Sequence, residues 1–501
     1  MSIEPPLRPD ADVDVGDMPP DELLRHGEEV ARWIAEYLDT VQEHPVLSPL
    51  RPGELRDALP DAPPPDGEPF GAILRDFREE VLPGITHWNH PAFFAFFSAT
   101  GSGPGVLGEM LTAALNVNAM VWRSSPAATE LEEVALDWLR KLLGLPEGFE
   151  GVINDTASSS SLYALAAARE ANLPEASDDG LAAAPPARIY ASTEAHSSIH
   201  KAAITLGLGR RGLRKVDTDE LFRMRPDALR AAIRDDLEKG VRPLAVVATI
   251  GTTSSTSVDP VEAVAEVAGE HGLWLHVDAA YAGGAAIVPE LRPLFQGWEM
   301  ADSVVMNPHK WIFTPVDCSA LYCRRPEMLR RAFSVTPEYL KTREDDEVRN
   351  LMDYGISLGR RFRALKLWFV LRYFGAKGME GRIRHHVRLA RKLASWVDGE
   401  PGWERLAPTP FSTVALRFAP EGVDDPDALN RAILERVNAG GEAFLSHTRL
   451  RGDYCMRVAI GNLRTREEDV GRTWGLLRRT ALEVAGAAPP AGAAGAGSAG
   501  D

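Results

Sequence analysis

The feature that most constrains this chain is a succession of three short apolar runs, each ending in polar or reactive side chains. Leu244–Ile250 leads into Gly251-Thr252-Thr253-Ser254, Leu273-Trp274-Leu275 into His276-Val277-Asp278-Ala279-Ala280-Tyr281, and Ser303–Met306 into Asn307-Pro308-His309-Lys310-Trp311. Such runs read as strands buried on both faces, the mark of a parallel sheet. Between the first two, Val261, Val264, Ala265 and Val267 recur at helical spacing after Pro260, and Gly272 supplies a stop. The unit is β, α, β, with a right-handed crossover. Thr253, Asp278 and Lys310 are therefore delivered to one edge of one sheet, where open α/β sheets bind ligands. A lysine there must be paired, depressed in pKa or covalently engaged, because a bare buried ammonium is too costly to keep. On the pentapeptide alone, a surface lysine in a βα loop is the competing reading.

A lysine, an aspartate and a hydroxyl in one crevice suit pyridoxal 5′-phosphate. The lysine would hold the aldehyde, and the aspartate would keep the pyridine nitrogen protonated so that the ring can accept electrons. On Asn307-Pro308-His309-Lys310-Trp311 taken with His276-Val277-Asp278-Ala279-Ala280-Tyr281, the sequence resembles the group II pyridoxal-phosphate decarboxylases, above all the aromatic-L-amino-acid decarboxylases, over about residues 20 to 480. The resemblance implies an α/β protein of aminotransferase-like fold (fold type I). Its large domain, 101–365, would carry a mostly parallel seven-stranded sheet and bind the cofactor. An N-terminal helical segment, 1–100, would wrap the second protomer of a homodimer whose active sites lie at the subunit interface. A small α+β domain would follow over 366–485, and the Ala-, Gly- and Pro-rich 486–501 would be a disordered tail.

With 501 residues there is chain enough for two or three domains and a large core. The net charge of −17 argues against nucleic-acid and anionic-membrane partners. The three cysteines, Cys318, Cys323 and Cys455, are odd in number and lack metal-ligand spacing, which fits a reduced, cytoplasmic protein. The Pro- and Asp-rich start has no apolar h-region, and no apolar run approaches the roughly 18 residues of a membrane span.

In chain order, Asp21–Val41 is expected to be a helix with Val30, Trp33, Ile34, Tyr37, Leu38 and Val41 on one face. Thr86–Phe97 is the aromatic-richest stretch. Phe93 and Phe94 read as core, whereas the family's substrate side-chain pocket matches Trp88, Phe96 and Phe97. His87 and His90 lack a third ligand at metal spacing, and no metal is expected. Ser125 and Pro126 suit the N-cap and N1 positions of a helix to about Leu143, stopped by Gly144. After it, a small-residue turn feeds an Ala- and Leu-rich helix, and such a helix start offers free N–H groups to an anion. The family's phosphate-binding turn matches Thr156-Ala157-Ser158.

The resemblance assigns further roles. His196, after the short strand Ala187–Ala191, matches the histidine stacked on the pyridine ring, and Ala280 would line the opposite ring face. His309 would support Lys310 or the phosphate, and Thr253 the cofactor or the substrate carboxylate. Tyr339 matches a tyrosine on a mobile catalytic loop, expected to protonate the α-carbon with His196 as its relay. Asp278, Lys310, His196 and Tyr339 form the expected catalytic set. The reaction implied is decarboxylation of an L-amino acid to its amine and carbon dioxide. Tyrosine, DOPA, tryptophan and 5-hydroxytryptophan all remain open as substrates. Gly359 stands where glycine accompanies indole preference in plant relatives. Asn118 and Met120 depart from the aliphatic and phenylalanine side chains usual in the pocket, and Ala99 replaces a frequent threonine. A buried amide needs a polar partner, so Asn118 hints at a hydroxylated ring. The competing readings are an aromatic aldehyde synthase, where phenylalanine replaces the tyrosine, a decarboxylase of a non-aromatic amino acid, and a non-catalytic cofactor-binding dimer. A transaminase would need an arginine for a second carboxylate, and Arg457 has no assignment.

Overall fold

The computed structural model describes residues 16–335, 344 and 347–487. Most of the expected tail, from 488 onward, and the expected catalytic Tyr339 lie outside the described residues, while 486 and 487 end the helix Glu467–Ala487. The chain divides into two compact units. One comprises residues up to 44 with 48–86, and the other comprises 45–47 with everything from 87 onward.

The first unit is helical. Its helix Pro20–Thr40 keeps Trp33 and Tyr37 half-buried, their rings stacked at 5.3 Å, and Trp33 packs edge-on against Phe77. Leu23 and Leu24 stay exposed.

The second unit is built on a seven-stranded sheet: β1 (Glu150–Asn154), β2 (Ala187–Ser192), β3 (Leu213–Val216), β4 (Arg242–Thr249), β5 (Trp274–Asp278), β6 (Ser303–Met306) and β7 (Ser319–Cys323). The order is β1-β7-β6-β5-β4-β2-β3. Strands β6, β5, β4, β2 and β3 run parallel, and β7 is antiparallel to both its neighbours. The three apolar runs are thus adjacent central strands, in register Thr249↔Asp278↔Val305. Helices cover both faces, so these strands carry continuous apolar sequence without alternation. The sequence reading did not anticipate β1 and β7.

Beyond the sheet, Ala364–Asp398 is helical on both sides of a kink at Gly375 (φ +61°). Strands β8 (Trp403–Arg405), β9 (Thr413–Phe418), β10 (Ser446–Leu450) and β11 (Asp453–Ala459) form an antiparallel sheet of order β10-β11-β9-β8. Helices Pro426–Ala439 and Glu467–Ala487 accompany it, as expected of a small α+β part. Among the described residues no helix is long and apolar enough to cross a membrane.

Candidate active site

Every parallel strand that feeds the site does so from its C-terminal end. Strand β1 leads to Thr156, the N-cap of helix Ala157–Asn172. The first-turn N–H groups of Ala157 and Ser158 find no acceptor among the described residues, which leaves them and the helix dipole open to an anion. Strand β2 leads to His196, the N-cap of helix Ser197–Thr205. Strand β4 ends in a turn at Gly251 (φ +86°), where an added Cβ would lie 2.6 Å from that of Ala282, so the backbone needs glycine twice over. Strand β6 passes into a four-residue helix, Pro308–Trp311, carrying Lys310.

Asp278 closes β5. Its backbone carbonyl accepts from the Ile250 N–H at 2.9 Å and its Oδ1 from the Ala280 N–H at 3.0 Å. Two residues earlier on the same face, His276 meets Ser303 Oγ at 2.9 Å and Ser161 Oγ at 3.1 Å. The strand carrying Asp278 is thereby fastened to the helix that begins at Thr156. Burial holds His276 neutral, its pKa pushed down to about 4.

These strand ends enclose a cavity of about 730 Å³. Trp88, Phe96, Phe97, Ala99, Thr156, Ala157, Ser158, His196, Thr253, Asp278, Ala280, His309 and Lys310, all singled out in the sequence, line it. The Lys310 Nζ stands 5.4 Å from the centre of the Phe97 ring, with no hydrogen-bond or ion-pair partner among the described residues. Burial pushes its ammonium pKa down, against the pull of Asp278. His309 Nδ1 accepts from the Cys318 N–H at 2.9 Å, and burial pushes its pKa down to about 4. Behind Lys310 the rings of Phe97, Tyr281 and Trp311 stack at 3.8 Å and 4.9 Å, giving the lysine's helix a rigid back wall.

Arg457, unassigned in the sequence, is buried in the same wall. Its Nε donates to the Ser254 carbonyl at 3.0 Å and its Nη1 to Ser446 Oγ at 3.1 Å, while Nη2 has no partner. Burial pushes its pKa down to about 10, so it stays cationic at neutral pH. Thr249 Oγ1 and Asn307 Oδ1 also line the cavity, buried and unpartnered. Buried polar atoms are nearly always bonded, so such orphans around one cavity, with an unpaired lysine, fit a polar ring-and-anion ligand of the pyridoxal phosphate kind. Phe444, Leu445 and Ser446–Thr448 complete the wall from the smaller sheet. Sequence reasoning missed them because β10 does not alternate cleanly.

Asn118, Met120 and Gly359 are not brought into this cavity within the chain. They cluster together elsewhere, with Asn118 and Gly359 exposed. Asn118 Nδ2 lies 3.6 Å from Met120 Sδ, and Oδ1 accepts from the Arg360 N–H at 2.9 Å. The amide oxygen thus has a backbone partner, while Nδ2 has only the Met120 sulfur beside it. His87 and His90 lie in no metal cluster among the described residues.

The family described as "Pyridoxal-dependent decarboxylase conserved domain" matches residues 52–417. A phenylacetaldehyde synthase of Rosa hybrid cultivar is 39% identical over 484 residues, covering 93% of this chain and 95% of that protein. Tyrosine decarboxylase 4 of Petroselinum crispum is 41% identical over 475 residues, covering 92% and 93%. Among solved structures, Oryza sativa TDC with PLP and tryptamine superposes with a TM-score of 0.91 at 37% identity, covering 94% of this chain and 99% of that one.

Proposed function

The chain belongs to the pyridoxal-dependent decarboxylase family, and from that premise we propose that it converts an aromatic L-amino acid to the amine and carbon dioxide, acting as a cytoplasmic homodimer. The observation that carries the reading is an unpaired lysine sharing one cavity with a strand-end aspartate and an open helix N-terminus. When bound, the cofactor supplies an electron sink for the pair left as the Cα–carboxylate bond breaks.

The chain's residues do the rest. Lys310 would hold the cofactor's aldehyde group, and Asp278 would keep a proton at its ring nitrogen. The N–H groups of Ala157 and Ser158, with Thr156, would bind the phosphate at the positive end of their helix. Ala280 and His196, which both line the cavity, would flank the cofactor ring. The free Nη2 of Arg457 is available to a substrate carboxylate, which would hold the scissile bond in one orientation. Trp88, Phe96 and Phe444 give a flat side chain an apolar wall and exclude water.

Tyr339 is proposed as the acid that delivers a proton to the α-carbon, on the strength of the resemblance. Its presence favours amine over aldehyde, although similarity to a phenylacetaldehyde synthase keeps the aldehyde as the second reading. Purified protein with cofactor, incubated with the common amino acids, DOPA and 5-hydroxytryptophan, should release amine and carbon dioxide from an aromatic substrate. The Tyr339→Phe variant should lose amine and gain aldehyde and peroxide. An unchanged amine yield removes the tyrosine from the mechanism, and no turnover on any of them sinks the reading.

The helix Gly103–Leu115 supports the dimer, since Leu107, Met110, Leu111 and Leu115 stand exposed along one side of it. The nearby exposure of Asn118, Gly359, Ile356 and Leu358 agrees with their facing a second protomer's cavity. The reduced, buried cysteines suit the cytoplasm.

A further inference from the structure

His196 does two jobs with one ring. As N-cap of the helix Ser197–Thr205 it turns Nδ1 back onto its own chain, where Nδ1 accepts from the Ser198 N–H at 3.2 Å and meets Ser198 Oγ at 2.8 Å. A backbone N–H can only donate, so Nδ1 carries a lone pair and the ring's single proton sits on Nε2. The hydroxyl at 2.8 Å then donates as well. Both contacts fall on one atom, which fixes the ring plane as well as the tautomer. Nε2 has no partner among the described residues, and both His196 and Ser198 line the cavity that holds Lys310 and Asp278. Ser198 itself is buried.

We propose that Ser198 is a positioning residue for the proton-transfer step, holding His196 so that Nε2–H alone faces the reacting atoms. This rests on the decarboxylase reading given above. His196 accordingly acts as a neutral hydrogen-bond donor at Nε2, in a fixed plane, which orients the groups exchanging the proton without giving up its own, and it takes no proton up from the cavity at Nδ1. The surrounding charges agree. Burial disfavours the imidazolium and so do Lys310 and Lys201, while Asp278 alone favours it, and the net effect lowers the pKa from its usual 6.5. A helix N-terminus at Nδ1 acts in the same sense, since its N–H groups repel a cation. His309 shows the device is not isolated, for its Nδ1 is pinned by the Cys318 N–H in the same way.

The hydroxyl separates positioning from mere packing. On protonation Nδ1–H would need an acceptor, and Ser198 Oγ is the group at hand. Bonds to a charged donor are the stronger, so removing Oγ lowers the His196 pKa further. Removing it also frees the ring. Positioned proton transfer is worth ~10²–10⁴-fold, and partial misplacement should cost about 10-fold of that.

The test compares the wild-type dimer with Ser198→Ala and Ser198→Thr. In the protein without cofactor, ¹⁵N-histidine spectra should show Nε2 protonated and Nδ1 bare for the His196 signal, identified by its loss in His196→Gln. Hydrogen–deuterium exchange at the imidazole C2 should give a lower His196 pKa in the Ala variant than in wild type or Thr. In the loaded enzyme, the aldehyde share of product should rise about 10-fold in Ala and return in Thr. An Nδ1-protonated or cationic ring in wild type overturns the proposal. So does an Ala variant with the wild-type exchange profile and product ratio. If no amino acid is turned over, the decarboxylase reading fails, while the two measurements without cofactor still decide the tautomer and the part Ser198 plays in fixing it.

Discussion

At the scale of single residues, the site depends on side chains whose usual partners are missing. Arg457 is the clearest. Two of its nitrogens are tied to Ser254 and Ser446, the guanidinium lies 5.1 Å from the centre of the Phe97 ring, and Nη2 is left over inside the cavity. A hydrogen bond to a charged group is worth about 1.5–3 kcal/mol, so Arg457→Ala should lower kcat/KM by ~10–100-fold. Arg457→Lys should recover part of the loss, because a point charge remains without the planar fork. Steady-state kinetics check this, and an unchanged kcat/KM would remove Arg457 from substrate binding. Lys310 and Asp278 could be singled out in the sequence because each stands at the end of an apolar run, and His196 through the resemblance. Arg457 could not, because it sits inside a strand among apolar neighbours, where an arginine signals a function but not which one. Asn118 shows the opposite limit: its amide oxygen is taken by the Arg360 N–H, a pairing between positions 242 residues apart.

At the scale of elements, the site is a set of strand ends held in register, and one buried carboxylate holds the end of β4. Asp259 accepts from the Thr249 N–H at 2.8 Å and the Met224 N–H at 2.6 Å. Burial pushes its pKa up from 3.8 to about 7. Between those two values the unfolded chain has released the proton while the folded one keeps it. Folding stability therefore falls as pH rises from about 4 to about 7, and this contribution is fully present only below about 4. Asp259→Asn removes the titration but leaves one of the two N–H groups without an acceptor, at a cost of about 1–3 kcal/mol. The expected result is a variant of lower Tm whose loss relative to wild type shrinks as pH rises through that window. Thermal melts across the range test it, and parallel curves would show that Asp259 does not titrate there. The central strands were legible because burial on both faces writes itself as a continuous apolar run. Strands β1 and β7 were not. Gly151 and Asn154 break the first run and Ser319 and Cys323 flank the second, and tertiary pairing makes them strands: β1 with β7 as Glu150↔Cys323 through Asn154↔Ser319, and β7 with β6 as Ser303↔Cys323 through Met306↔Ala320.

At the scale of the whole molecule, the proposed dimer reconciles two facts about surfaces. Leu107, Met110, Leu111 and Leu115 line one side of an exposed helix, and Asn118, Met120 and Gly359 gather away from the chain's own cavity. Leu111→Glu would place an unpaired charge in the apolar contact, so analytical ultracentrifugation should find a dimer for wild type and a monomer for the variant, with turnover lost alongside. A wild-type monomer with full activity would rule out the shared site. By itself the sequence determined the βαβ core, the edge to which Lys310 and Asp278 are delivered, and the helix start offered to an anion, because these follow from local periodicity and strand direction. Tertiary structure alone decided which side chains share the cavity. The unpaired nitrogen of Arg457, the pinned ring of His196 and the walls from β10 depend on contacts between segments far apart in the chain, and chain-local patterns carry no record of what a side chain meets after folding.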